Sequence, residues 1–133
     1  VAPQRQALNA GRWRQLENAV RAIAAHSDAV YVFTGPIFDS PEMVFIGTSR
    51  VAVPTHFYKV ILAVEGERKI QYAAILPNAE QVEDELNQLA TTVDEVERRT
   101  GLDFFSALTD SEEGPLESVR RLFPAHGVPL PLN

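Results

Sequence analysis

The feature that most constrains this sequence is a pair of apolar runs joined by a short polar turn. The first run, THFYKVILAV (55–64), is apolar at odd and even positions alike, which is typical of a central strand covered on both faces. The turn EGER (65–68) contains Gly66, and KIQYAAIL (69–76) then returns. This pattern predicts an antiparallel hairpin with its loop around Gly66, forming the core of a sheet.

The residues before the hairpin predict one helix and three short strands. Apolar residues spaced three and four apart predict a helix with one buried face, ending near 25–27: Trp13, Leu16, Val20, Ile23 and Ala24. AVYVFT (29–34) predicts a strand that stops at the turn pair Gly35-Pro36. MVFIG (43–47) and VAV (51–53) predict two further short strands.

Beyond Pro77 the sequence becomes acidic and helical in pattern. We predict surface helices at AEQVEDELNQL (79–89) and VDEVERRTG (93–101), the second capped by Gly101, an apolar anchor at DFFSAL (103–108), and another helix at PLESVRRLF (115–123). The predicted fold class is α+β, a mainly antiparallel central sheet flanked by helices. We expect one domain over 1–133, divided into a helix region (1–27), a sheet region (28–76) and a helical C-terminal region (77–133).

The charge distribution decides where a polyanion could bind. The net charge is −6, which disfavours a nucleic-acid partner for the chain as a whole. Residues 1–27, however, contain four arginines and one glutamate, a local charge of +3. Residues 80–117 contain twelve acids and two arginines, a local charge of −10. A polyanion is therefore expected on the first helix. There is no cysteine, so a metal would need oxygen or nitrogen ligands, and no apolar window approaches the roughly 18 residues of a membrane span.

Helix one carries a polar stripe, because Asn9, Trp13, Glu17 and Arg21 follow one another at intervals of four. The simplest interpretation is structural: Glu17 and Arg21 form an exposed ion pair and Asn9 caps the helix. The spacing of Trp13 with the apolar positions makes it a core residue rather than a base-stacking one.

Four blocks in order resemble the DNA/RNA non-specific endonuclease family, which includes Serratia-type nucleases and endonuclease G. They are APQ(x)₄N(x)₃W(x)₂LE(x)₃R at 2–21, VYVFTGPIF at 30–38, VAVPTHFYKV at 51–60 and VDEVERRTGLDFFSAL at 93–108. The resemblance leaves only the last 25 residues unmatched. It implies a ββα-metal fold, here its C-terminal part, and metal-dependent, sugar-non-specific hydrolysis of DNA and RNA.

The resemblance also implies roles for three residues of helix one. Asn9 matches the asparagine that binds the metal, which we expect to be Mg²⁺, although Mn²⁺ would also fit. Glu17 matches the glutamate that holds a water on that metal, and Arg21 matches the arginine that stabilises the charge of the phosphate in the transition state. The resemblance therefore favours catalytic roles for Asn9, Glu17 and Arg21 over the structural interpretation as a helix cap and an exposed ion pair.

One element of the family pattern has no counterpart in the 133 residues. The general base of the family is the histidine of an Asp-Arg-Gly-His motif that precedes the asparagine helix, and this chain contains no such motif. We expect the base to come from an N-terminal segment acting as a companion chain, so that the present chain alone is inactive. The expected partners are DNA and RNA, and a homodimer is also compatible with the sequence. The sequence does not indicate the host compartment. The alternative is a catalytically inactive nuclease-like module for binding or assembly.

The other polar residues are expected to be structural. His26, His56 and His126 match no family motif and are interpreted as capping, core or surface histidines. Lys59 recurs in the third block without a role to transfer, and we expect it to reach solvent. The acidic run 80–85 lacks the spacing of a calcium loop and is expected to be a solvated face.

Overall fold

The computed structural model describes residues 11–38, 44–46, 51–79, 84–104 and 119–124. The elements in chain order are helix α1 (Arg12–Ala25), strands β1 (Ala29–Ile37), β2 (Val44–Ile46), β3 (Val51–Val53), β4 (His56–Glu65) and β5 (Arg68–Pro77), a 3₁₀ turn (Leu86–Gln88), strand β6 (Ala90–Thr91) and helix α2 (Val93–Thr100). The predicted α+β class with a mainly antiparallel sheet is confirmed.

Within the described residues the main sheet has four antiparallel strands in the order β1-β4-β5-β6, and β2 and β3 form a separate two-stranded ladder. Strands β4 and β5 form the predicted hairpin, with Glu65 opposite Arg68 and Gly66 at φ 60°, a left-handed conformation that favours glycine. The Gly66 amide donates to the Asp28 carboxylate at 2.6 Å, which ties the hairpin loop to the start of β1.

The sheet lies between the two helices because side chains of a strand alternate between its faces. On one face α1 packs its buried residues Leu16 and Ile23 against Phe57 and Ile61 of β4. On the other face α2 packs Val93 and Val96 against a second apolar cluster: Ile37, Tyr58, Val60, Leu62, Ala73 and Ile75. Both faces of the central hairpin are thus covered, as its doubly apolar sequence predicts.

Helix α1 ends at Ala25, as predicted, and Trp13, Leu16 and Ile23 are buried as predicted, but Val20 is only partly buried. Ala19 is buried, whereas Ala24 is exposed. Helix α2 is capped at both ends: the Thr92 hydroxyl accepts from the Glu95 amide at 3.1 Å, and Gly101 adopts φ 76°. The predicted helix at 93–101 with its glycine cap is confirmed.

Strand β1 is longer than predicted, because it continues through Gly35-Pro36 to Ile37. Pro36 still pairs with Phe57, but β1 is an edge of the sheet. A proline at an edge strand can direct its missing N–H away from the ladder, so it does not interrupt the pairing. The prediction that this strand stops at the turn pair is wrong.

The prediction of an α-helix at 79–89 is wrong for the part that the structure describes. Residues 80–83 lie outside the described range, and the remainder forms only the 3₁₀ turn before β6. The Leu89 carbonyl accepts from the Ile75 amide at 3.2 Å, and the Leu89 side chain is buried in the core beneath α1. Pairing with β5 therefore draws this segment into the sheet in spite of its helical composition.

The segment 119–124 is also not helical, so the predicted helix at 115–123 is wrong in its described part; 115–118 lie outside it. The Phe123 amide donates to the Asn87 side-chain oxygen at 2.8 Å, and the Phe123 ring packs 5.6 Å from that of Tyr72. Of the predicted anchor at 103–108, Phe104 is described, and its ring lies 5.4 Å from Tyr58. No described helix is long and apolar enough to cross a membrane.

Candidate active site

The candidate site is the exposed flank of α1 that carries Glu17 and Arg21, one helical turn apart. Both side chains are exposed, while Leu16 and Ile23 on the adjacent face of the helix are fully buried. Each residue advances about 100° around a helix, so a spacing of four places Glu17 and Arg21 on the same side of α1. This side is about 100° or more away from the buried Leu16. One turn before Glu17, the Trp13 ring contacts the ammonium of Lys59 on β4, and that ammonium also donates to Thr34 of β1, so this part of α1 lies over the sheet near β1 and β4. Asn9 lies outside the described residues.

The Arg21 guanidinium is oriented by an amide rather than by a carboxylate. Its Nη1 donates to Oδ1 of Asn18 at 2.8 Å. Among the described residues no ion pair within 4.0 Å joins Arg21 to Glu17, contrary to the simple structural interpretation of the stripe. Among the described residues the Arg21 guanidinium is thus oriented by Asn18 and has no carboxylate within ion-pair distance.

Lys59 lies beneath this flank. The prediction that it reaches solvent is wrong, because the residue is only 8% exposed. It shares the α1-facing side of β4 with Phe57 and Ile61. Its ammonium donates to the Thr34 hydroxyl at 3.2 Å and lies 4.8 Å from the centre of the Trp13 ring. Burial lowers the pKa of Lys59, and the negative charge of Glu17 partly offsets that effect.

Trp13 is a core residue, as predicted, with an edge-to-face contact of 5.9 Å between its ring and that of Phe57. Lys59, Thr34 and Asn18 are the site residues that sequence reasoning missed. The available signal for Lys59 was its place inside an apolar run predicted to be covered on both faces.

The histidines and acids do not assemble into a separate centre in the described part of the chain. His26 follows the last residue of α1, and His56 lies on the opposite face of the sheet, where the Arg99 guanidinium lies 3.3 Å from its Nδ1; His126 is outside the described range. No group of three or more His, Asp or Glu side chains close enough to hold a metal occurs among the described residues.

The positive charge of α1 is partly neutralised by contacts of Arg12. Arg12 donates to the Asp84 carbonyl at 2.8 Å and forms a 3.5 Å ion pair with Glu85. Both contacts lie on the flank of α1 away from Glu17, where a cavity of about 360 Å³ is bordered by Gln15 and Asn18. The positive charge near the candidate site therefore comes from Arg21, Lys59 and the exposed Arg14.

The described residues form an α+β protein, an antiparallel sheet covered by a helix whose exposed flank carries a carboxylate and a guanidinium. The model of the DNA/RNA non-specific endonuclease family matches residues 1–111. Nuclease C1 of Cunninghamella echinulata var. echinulata is 40% identical over 119 residues, covering 82% of this chain and 47% of its own length. The nuclease of Serratia marcescens is 33% identical over 129 residues, covering 93% and 48%.

The structural comparison agrees with the sequence comparisons. The crystal structure of the EndoG/EndoGI complex matches with a TM-score of 0.75 and 32% identity, covering 82% of this chain and 49% of that chain. This chain belongs to the DNA/RNA non-specific endonuclease family. It spans about half the length of the relatives named here.

Proposed function

We propose that this chain is part of a metal-dependent nuclease that hydrolyses phosphodiester bonds in both DNA and RNA, and that it contributes the catalytic residues carried by α1. The observation that carries the proposal is the flank of α1 in a member of this family, where Glu17 and Arg21 are exposed one turn apart and Arg21 pairs with no carboxylate of the described residues. A site directed at the phosphate reads little of the base or sugar, which accords with a non-specific substrate range.

Two side chains of this flank would act on the reacting phosphate and water. Arg21 would donate to the phosphate oxygens as negative charge develops on them, with Asn18 keeping the guanidinium in place. Glu17 would accept a hydrogen bond from a water at the site and fix its orientation. Asn9, outside the described residues, would supply an amide oxygen to the metal.

The donor set suits a hard divalent cation that keeps most of its water, for which we propose Mg²⁺. An amide oxygen such as that of Asn9 is a hard ligand, and Mg²⁺ commonly takes only one or two protein ligands. When bound, the metal would stabilise the negative charge of the leaving oxygen.

The general base is proposed to come from a companion N-terminal segment. His56 faces away from the site, and His26 lies at the far end of α1. Support for a companion comes from β1, an edge strand of the described sheet on which Tyr31 is 55% exposed and Val32 is also exposed. Without the base, hydrolysis by the present chain should be slower by about 10²–10⁴-fold.

The test combines intact-mass analysis with plasmid and RNA cleavage assays in Mg²⁺, with and without EDTA. The full nuclease should cleave both substrates, and EDTA should abolish cleavage. Arg21→Ala should lower kcat by about 10²–10³-fold. The matched control is Arg98→Ala on α2, where Arg98 pairs with Glu95 on the other side of the sheet; it should leave kcat unchanged.

Two results would contradict the proposal. Cleavage that survives EDTA would exclude the metal, and equal effects of Arg21→Ala and Arg98→Ala would remove the α1 flank from the chemistry. Binding of DNA without cleavage, by the chain joined to its companion segment, would instead identify a catalytically inactive nuclease-like module.

A further inference from the structure

Lys59 is a buried cation directly beneath the candidate site. Its ammonium has two identified contacts, the Thr34 hydroxyl at 3.2 Å and the face of the Trp13 ring at 4.8 Å. Neither group carries a negative charge. Burying an ammonium is costly unless a negative partner compensates for the lost hydration, so these contacts leave most of that cost unexplained.

The carboxylate that acts on Lys59 is that of Glu17. Glu17 is one turn of α1 beyond Trp13, whose ring the Lys59 ammonium contacts at 4.8 Å. No ion pair within 4.0 Å joins Glu17 to Lys59 among the described residues, so the attraction acts over a longer distance, and its direction is to favour the protonated form of Lys59. Thr34 lies directly opposite Lys59 in the β1–β4 ladder, so the ammonium is fixed from the sheet side by Thr34 and from the helix side by Trp13. The lysine therefore has a fixed position, whereas the carboxylate above it lies at the exposed surface.

We propose that Lys59 is a positioning residue for Glu17: its ammonium, anchored between Thr34 and Trp13, attracts the Glu17 carboxylate and sets the direction in which that carboxylate receives the water used in hydrolysis. This inference rests on the proposed function. It assigns to Lys59 no contact with the nucleic acid, because the side chain is almost completely covered.

The first test is a double-mutant cycle in the full nuclease, comprising this chain and the segment that supplies the base. Lys59→Met should lower kcat by about 10–100-fold, as loss of a partner to a metal-site group does, with KM for plasmid DNA almost unchanged. If Lys59 acts through Glu17, adding Lys59→Met to Glu17→Gln should cause no further loss. Multiplicative effects of the two substitutions would overturn the inference.

Two more variants separate positioning from folding. Lys59→Arg, which keeps the charge, should recover part of the kcat lost in Lys59→Met. Thr34→Val removes the anchoring hydroxyl at an exposed position and should lower kcat in the same direction but by less. Because Lys59→Met also removes a buried charge, its melting temperature should equal or exceed that of the wild type. A fall in melting temperature that parallels the fall in kcat would indicate a purely structural role and refute the proposal.

A second readout does not depend on nuclease activity. In a ¹³Cε NMR titration of Lys59, Glu17→Gln should lower the lysine pKa further, because it removes the charge that favours the protonated form. Glu85→Gln should leave the lysine pKa unchanged, because Glu85 lies before the 3₁₀ turn and pairs with Arg12 on the other flank of α1.

The two readouts distinguish the possible failures. An active nuclease in which Glu17→Gln does not affect Lys59 would refute the positioning role and leave the proposed function intact. A lowered Lys59 pKa in a full protein that cleaves neither DNA nor RNA would refute the proposed function, and the positioning role with it.

Discussion

Gln71 offers the most direct test of the packing beneath α2. It lies on β5 opposite Leu62, on the face of the sheet that α2 covers, and is 1% exposed. Within the described residues neither its amide nitrogen nor its amide oxygen has a hydrogen-bond partner. Leaving a buried polar group unsatisfied costs about 1–3 kcal/mol of folding free energy.

Replacing Gln71 by methionine, which has a similar length and no amide, should therefore stabilise the protein. We expect Gln71→Met to raise the free energy of unfolding by about 1–3 kcal/mol, which is the cost of the orphaned amide. Unfolding entropy scales with chain length at about 2.1 cal/mol/K per residue, so for 133 residues each kcal/mol corresponds to about 3.6 °C. The melting temperature should rise by about 4–11 °C.

The assay is thermal and urea unfolding followed by circular dichroism, with Gln15→Met as the control. Gln15 is exposed on α1, so its replacement should change the unfolding free energy by no more than about 0.5 kcal/mol. If Gln71→Met destabilises the protein, the amide must be satisfied in solution, for example by a buried water, and the argument from an orphaned group is wrong.

Two further predictions concern the same side of the sheet. Gly35→Ala would place its Cβ 2.5 Å from Oη of Tyr58, whose ring is buried, and should destabilise the protein by about 1–3 kcal/mol in urea unfolding; a cost of the same size in a Tyr58→Ala background would disprove the clash. Burial and the neighbouring Asp103 raise the pKa of Glu97 above 4.5, so the folded state binds this proton more tightly than the unfolded state. Relative to Glu97→Gln, the wild type should gain stability as the pH falls through the raised pKa towards 4.5 and should lose that stability as the pH rises again. Parallel urea-unfolding profiles for the two proteins between pH 4 and 8 would contradict this prediction.

The elements that the sequence predicts correctly are those that local pattern determines. The doubly apolar run at 55–64 and the glycine at 66 are sufficient for the hairpin, and the capping residues Thr92 and Gly101 are sufficient for α2. The failures involve long-range pairing. Nothing local shows that Pro36 lies at an edge strand, or that Leu89 is drawn into the sheet by Ile75.

The site follows the same division. Because Glu17 and Arg21 lie on one helix, their spacing predicts that they share one flank, whereas their proposed roles come from the family resemblance alone. The apolar run around Lys59 indicates that it is buried, but not what it contacts, because its surroundings arise from three separated segments: Trp13 on α1, Thr34 on β1 and the lysine itself on β4. A lysine in a strand is ordinarily solvated, and only the covering helix excludes water from this one.

The packing of α1 on the sheet also determines the chemistry that the flank can offer. Burial of Leu16 and Ile23 fixes the rotation of the helix, and that rotation places Trp13 against Lys59 with Glu17 one turn further along α1. The β1–β4 register places Thr34 opposite Lys59, and a slip of one residue would turn the lysine to the α2 side. The positive charge beneath Glu17 is therefore a consequence of the core. Substitutions that rotate α1 or shift β4 should reduce activity even where the exposed residues of the flank are unchanged.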